Sequence, residues 1–258
     1  MDTGHHVITD IKAYHADGKD SQHLPDIVDR LQTRLWKQGF RLENVLADTG
    51  YSSGENYAYL EQKGITSYIP PHGTYKGGPE DFTYVKDKDH YICPNGAVVP
   101  FKKVFKDYRT QTLKKEYRIS SKICRDCPLA SSCLGKTAKE KRFSVTYYRE
   151  EYERNNARIA TSKGKVMKGK RQSTVEPVFG TLTQFMGLRK INTIGIIQAN
   201  KVMHLSAVAY NIKKYLKFIQ KRVKSEAKSL HYSFLMKYHF LKAILMVIKT
   251  PKNNFSIG

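Results

Sequence analysis

A chain of 258 residues with 40% hydrophobic and 11% aromatic content is long enough to bury a core, and it favours one large domain or two small ones over a disordered polyelectrolyte. Its 45 Lys and Arg against 23 Asp and Glu give a formal net charge of +22, a field that selects polyanions through phosphate neutralisation and counterion release. Nuclease-like, ribosomal and membrane-surface proteins fit that charge, whereas a bilayer span does not fit the chain: its most apolar tail segment, Phe240 to Ile248, is far shorter than the ~20 residues a spanning helix needs.

In chain order, Val7 to Tyr14 alternates in part and predicts a strand. Asp17 to Ser21 is a turn in which Asp20 or Ser21 can cap a helix carrying Leu24, Ile27, Val28, Leu31 and Leu35, with Gly39 ending it. A strand over Leu42 to Ala47, a helix over Glu55 to Lys63 closed by Gly64, and a strand over Thr66 to Ile69 follow. This alternation predicts an α/β sheet with at least one parallel pair. From Pro70 the texture changes, and Phe82–Val85 and His90–Cys93 read as two strands around a polar turn in a Tyr- and Lys-rich, β-rich insertion. Beyond it come a charged helix over Tyr147 to Ile159, a basic run from Lys163 to Arg171, helical periodicity from Val175, and a long amphipathic helix from Ile194 to Phe218. The segment Phe240–Ile248 reads as a packed helix or a partner surface. No Asp follows Asp126 and only six Glu follow Cys133, so a basic second half meets a mixed first half.

Three groups of residues carry candidate chemistry. Asp48 closes the run Leu42 to Ala47 before Thr49-Gly50-Tyr51-Ser52; it either organises that turn or stands at the carboxyl end of a strand, where open α/β sheets hold ligands. The four cysteines, Cys93, Cys124, Cys127 and Cys133, all fall in the insertion. They can surround a tetrahedral zinc or serve as packed free thiols, while disulfides are disfavoured in a reducing cytosol. Glu176 opens a semi-apolar segment, and Ser173-x-x-Glu176 followed by Pro177 also has the form of a capping box at a helix start.

The segments His5-His6-Val7-Ile8-Thr9, Lys19-Asp20-Ser21-Gln22, Leu46-Ala47-Asp48-Thr49-Gly50-Tyr51-Ser52, Gly64 to Pro70, Tyr91-Ile92-Cys93-Pro94, Cys124-x-x-Cys127-Pro128, Ser173 to Gly180 and Ala209 to Leu216 stand in one order. On them the chain resembles bacterial insertion-sequence transposases of the DDE type, in the branch with a Cys-rich insertion before the last catalytic helix. The resemblance implies a ribonuclease-H-like mixed sheet flanked by helices. It divides the chain into a first part of that core at 1–72, the β-rich Cys insertion at 73–140, a helical completion with the catalytic Glu at 141–218, and a basic helical tail at 219–258. It implies that Asp48 and Glu176 are two of three carboxylates binding two Mg²⁺ ions that activate a water or 3′-hydroxyl and stabilise the leaving oxygen at a phosphodiester. DNA is then the partner, as insertion-sequence ends and target, with a homodimer or an association with intact transposase beside it and the cytoplasm as location.

The chain departs from the family pattern in three places. The leading Asp has no counterpart in context, although Asp2, Asp10 and Asp17 are present. Where relatives show a Tyr, Arg and Lys around the final Glu, this chain has Gly169, Gln172 and Thr183. The upstream helical DNA-binding region is not matched, which suggests an N-terminally truncated copy. The expectation is therefore a transposase catalytic region with an incomplete metal site and no cleavage of its own, or a non-catalytic basic DNA-binding relic. Phosphate contacts are expected at Lys163, Lys165, Lys168, Lys170, Arg171, Arg189 and Lys190, which bracket Glu176.

Overall fold

The computed structural model describes residues 1–73 and 75–248, with the backbone alone at Ala227, Leu230 and 240–248. The first unit is built from α1 (Asp20–Trp36), β1 (Asn44–Leu46), α2 (Gly54–Gln62) and β2 (Thr66–Tyr68). β1 and β2 run parallel, with Val45 opposite Ser67. Leu24 and Val28, one turn apart on α1, meet Tyr57 and Leu60 of α2, and Ile65 and Ile69 close this core. Gly39 and Gly64 end the two helices in the left-handed region, as the turn signals require. The cap of α1 differs from expectation: Lys19 is the N-cap and its amide donates to Gln22 Oε1 at 3.1 Å, which leaves Asp20 in the first turn with its carboxylate uncommitted to capping. Leu60 is fully buried, so Leu60→Ala should lower the unfolding free energy by about 2–5 kcal/mol in a denaturant titration.

Val7–Tyr14 is extended but joins no sheet. Two of its amides, those of Ile8 and Ala13, are met by side chains of α7 (Ile196–Ile248). Asn211 Oδ1 accepts from the Ile8 amide at 2.9 Å while its Nδ2 donates to the Ile8 carbonyl, and Asn200 holds Ala13 in the same two-way fashion. Five extended residues and eleven helical ones both rise about 16–17 Å, so the segment lies antiparallel along the helix. A strand ladder is absent because the helix supplies the partners.

The second unit is an antiparallel sheet of β3 (Thr83–Val85), β4 (His90–Ile92), β5 (Val98–Lys106), β6 (Leu113–Arg118) and β7 (Arg142–Thr146), in that order. It therefore extends past the boundary expected at 140. Short helices α3 (Ser121–Arg125) and α4 (Ala130–Cys133) lie between β6 and β7. Tyr91, Val99, Tyr117 and Val145 form its buried face, with Phe143 stacked edge-on against Tyr91. Asp89, in a left-handed turn, accepts from Tyr84 and Lys115 at 2.9 and 2.8 Å and from Tyr117. Burial is the largest influence on its carboxyl and raises the pKa, but these donors together hold it below the ordinary value. That contribution is present above the unfolded carboxyl pKa and is lost as pH falls through the depressed one.

Helix α5 (Arg149–Ala160) joins the units. The guanidinium of Arg149 sits 3.9 Å over the ring of Tyr84 and donates to the Gly77 carbonyl at 2.9 Å. The fully buried Asn155 donates to the Ile69 carbonyl at 2.9 Å and accepts from Ser67 Oγ at 2.8 Å. It thus adds to the hydrogen bonds that Tyr57 makes to the Ile69 carbonyl and Arg158 to Ser67 Oγ, so the buried polar groups at the end of β2 are satisfied.

The expected class is α/β and the structure is α/β; among the described residues the core sheet, expected to be mixed, is the parallel pair β1–β2 alone, and the β-rich insertion forms a separate antiparallel sheet. The basic run and the segment expected to begin at Val175 are one helix, α6 (Ser162–Gly180). Thr161 caps it by accepting from the Gly164 amide at 3.0 Å. Gly164 is required there, since a Cβ would lie 2.3 Å from the Ile159 carbonyl oxygen. Helix α7 runs from Ile196 because no Gly or Pro interrupts 196–248. The expected packing role of Phe240–Ile248 falls on side chains outside the described residues. Among the described residues no helix is long and apolar enough to cross a membrane.

Candidate active site

Asp48 leaves β1 and begins the tight turn Thr49–Tyr51. Its Oδ1 accepts from the Gly50 amide at 3.0 Å, so it does organise the turn. The side chain is nevertheless exposed, and it has a neighbour that the sequence reading missed. A Cβ placed on Gly50 would lie 3.0 Å from Asp20 Oδ2 and 3.1 Å from Asp48 Oδ1. The two carboxylates thus face each other across a glycine, with these oxygens at most about 6 Å apart. Burial first, and then the charges of Asp20 and Asp48, raise the pKa of Tyr51 beside them. A cavity of about 580 Å³ opens here, lined by Lys19, Asp20, Gly50, Glu55 and His72, with Thr110 and Thr112 from the β5–β6 turn on its far wall.

The other acidic candidates are placed differently. The Asp10 side chain is only 5% exposed and pairs with Arg30 and Arg34 at 3.2 and 3.1 Å, which neutralises it as a ligand. Asp2 accepts from the His5 amide at 2.6 Å in an exposed turn. Asp17 is exposed at the turn before α1.

Glu176 is a surface residue of α6, 60% exposed, with Arg171 Nη2 3.5 Å from its Oε1. Thr174 and Val178 are buried one turn apart, so Glu176, midway between them in sequence, projects from the opposite side of the helix. The capping-box reading of this segment is overturned. Ser173 lies inside α6 with its Oγ donating to the Lys170 carbonyl at 3.2 Å, and Pro177 lies inside the helix, which continues as a π turn over Thr181–Phe185. Ser173, Glu176 and Pro177 look like a helix start only in one dimension.

Among the described residues, no three His, Cys, Asp or Glu side chains are grouped so as to hold a metal ion. Asp20 and Asp48 are brought together, and Glu176 is not grouped with them. The pair fits a hard divalent ion in donor type, and Gly50 leaves open the space between their oxygens. The same statement bears on the cysteines. All four are free thiols and all four line one small cavity of about 40 Å³, yet as they stand they do not converge on one metal position. Cys93 begins a tight turn closed by the Gly96 amide donating to its carbonyl at 2.8 Å, with Gly96 in the left-handed region.

Of the expected phosphate contacts, Lys163, Lys165, Lys168 and Lys170 are exposed along α6, and Arg189 and Lys190 are exposed in the turn before α7. Arg171 differs: its side chain is 18% exposed, it pairs with Glu176, and its Nε is buried with no partner.

Residues 92–216 match the family model described as Transposase DDE domain. The match supports a DDE transposase. It spans all four cysteines, Glu176 and the exposed lysines of α6, and it leaves Asp20 and Asp48 outside. No curated protein and no solved structure matches the chain.

Proposed function

We propose that this chain is a catalytic region of a DNA transposase, built for phosphodiester cleavage and strand transfer, with a metal set that is incomplete as folded here. The observation that carries the reading is the pair Asp20 and Asp48 facing each other across Gly50 at the end of a parallel strand. A carboxylate on a strand end is held to within a fraction of an ångström, which metal-assisted chemistry requires. In this reading the β1–β2 unit is the remnant of a ribonuclease-H-like core, Asp48 and Asp20 hold Mg²⁺, and Glu176 joins them when DNA draws Arg171 away. The ion, when bound, would polarise the scissile phosphate and lower the pKa of an attacking hydroxyl. The chain's own part is to fix that ion against the cleft wall and to hold the DNA backbone on exposed lysines.

A second reading is supported by the position of Glu176, which points from the outer side of α6 and pairs with Arg171. It takes the chain as a basic DNA-binding protein without turnover, acting as a homodimer or through association with an intact transposase. Both readings require DNA binding through Lys163, Lys165, Lys168, Lys170, Arg189 and Lys190. Changing these six to Gln should weaken binding to unrelated duplexes almost equally and reduce the slope of log affinity against log salt by up to about 5. Anisotropy titrations at several salt concentrations measure this, and an unchanged slope would remove α6 from the interface.

For the cysteines we propose that zinc draws the four thiols inward from the cavity they line and so orders the segment between β6 and β7. Metal analysis of protein purified under reducing conditions should find close to one equivalent. Absence of zinc from a segment still resistant to protease would leave the thiols as packing residues.

A further inference from the structure

The β5–β6 hairpin carries a charge that the fold does not use. Between Lys102 and Arg118 stand seven Lys and Arg and only two acids, Asp107 and Glu116. Lys114 pairs with Asp107 at 2.7 Å, Lys115 with Asp89 at 2.8 Å, and Arg118 with Glu140. The other four, Lys102, Lys103, Lys106 and Arg109, are all exposed, and no ion pair to any of them is found among the described residues. The register shift between Phe101 and Lys103 leaves Lys102 outside the ladder, so two consecutive lysines stand where the strand twists most. Apolar groups are exposed among them: Val104 is 42% exposed and Tyr108, at the tip, 94%.

The place of the hairpin matters as much as its charge. Lys106, Thr110 and Thr112 line a cleft of about 480 Å³ together with Lys19 and Glu55, and the adjoining cavity reaches Asp20 and Gly50. Of the four cations Lys106 lines this cleft, so a polyanion held by it lies near the turn that carries Asp48. Unpaired cations interleaved with exposed rings suit a nucleic-acid backbone and its bases, since phosphates are neutralised and rings offer stacking faces.

We propose that the β5–β6 hairpin is a DNA-binding arm, separate from the exposed lysines of α6, and that it lays the DNA backbone into the cleft beside Asp20 and Asp48. This rests on the DNA reading above and adds the element that positions the substrate. The test uses the whole chain with Lys102, Lys103, Lys106 and Arg109 changed to Gln, a fluorescent 30-base-pair duplex, and anisotropy at 50 to 200 mM salt. Affinity at the lowest salt should fall about tenfold or more, and the salt slope should become shallower by about 3 to 4. Lys→Arg at positions 102, 103 and 106 should retain binding, with an unchanged melting curve for all variants. A control with Lys122, Arg125, Lys136 and Lys139 changed to Gln removes as much charge elsewhere and should change the slope little.

An unchanged slope in the hairpin variant, or an equal loss in the control, would overturn the proposal; the lysines would then only guard the part of β5 that β4 does not reach, 101–106, against strand pairing. Equal loss of binding to phosphatidylserine vesicles would also overturn it, by marking a membrane surface. Failure of the unaltered chain to bind DNA at low salt would remove the transposase reading as well, and so is distinguishable from failure of the hairpin alone.

Discussion

No Mg²⁺- or Mn²⁺-dependent nicking of supercoiled DNA should rise above background with this chain alone, even where it binds the DNA. Two-metal cleavage needs both ions against the scissile phosphate, one to activate the nucleophile and one to stabilise the leaving oxygen. The described residues offer two carboxylates across Gly50, while Glu176 stands on the outer side of α6, paired with Arg171. Losing an ion from such a pair costs orders of magnitude in rate, because each barrier increment of 1.36 kcal/mol is tenfold. Nicking that required the metal and vanished in Asp48→Asn would show that the set is completed in solution. Nicking that survived Asp48→Asn would place the chemistry elsewhere.

The second large effect is on stability. Asp10→Ala should lower the unfolding free energy by about 2–3 kcal/mol and the melting temperature by about 5–10 °C. Asp10 is nearly buried between Arg30 and Arg34, and removing it leaves two guanidinium groups beside an apolar segment. Arg30 Nη1 is already buried without a partner, so it cannot easily find another. The loss falls short of the 3–5 kcal/mol of a fully buried pair because the Arg34 side chain is 54% exposed and can turn to water. Thermal melts followed by circular dichroism measure this. A change below about 0.5 kcal/mol would mean that the pair is not held as described.

Local pattern carried the sequence reading wherever a segment's periodicity and its turn residues agreed. Leu24 and Val28 occupy the core of the first unit, the parallel pair joins β1 to β2, and the strands around the Lys86–Lys88 turn lie where the sequence pattern put them. The errors have one physical source, which is that the partner of a group is fixed in three dimensions. Val7–Tyr14 has the pattern of a strand, but its amides bond the side chains of Asn200 and Asn211, roughly two hundred residues away. Lys163 to Arg171 has the composition of a basic run and Ser173 to Pro177 the pattern of a helix start, yet both belong to one continuous α6, where tight packing of Gly164 against α5 makes a glycine necessary. Asp20, like Ser21, has the pattern of a helix cap, and nothing local distinguishes a capping Asp from one aimed at another turn. Only the fold brings it to Asp48.

The proposed function requires Asp20 and Asp48 to hold a divalent cation in the space that Gly50 leaves open. The direct measurement is a Mn²⁺ titration of the whole chain by electron paramagnetic resonance, comparing the unaltered protein with Gly50→Ala. Gly50 is not in the left-handed region, so alanine is allowed by the backbone, and its Cβ would press on both carboxylate oxygens at 3.0 and 3.1 Å. One Mn²⁺ bound by the unaltered chain, with affinity at least about 10-fold lower in Gly50→Ala and in Asp48→Asn at an unchanged melting temperature, is the predicted result. Binding of Mn²⁺ that is indifferent to all of Asp20→Asn, Asp48→Asn and Gly50→Ala, or no binding at all, would contradict it.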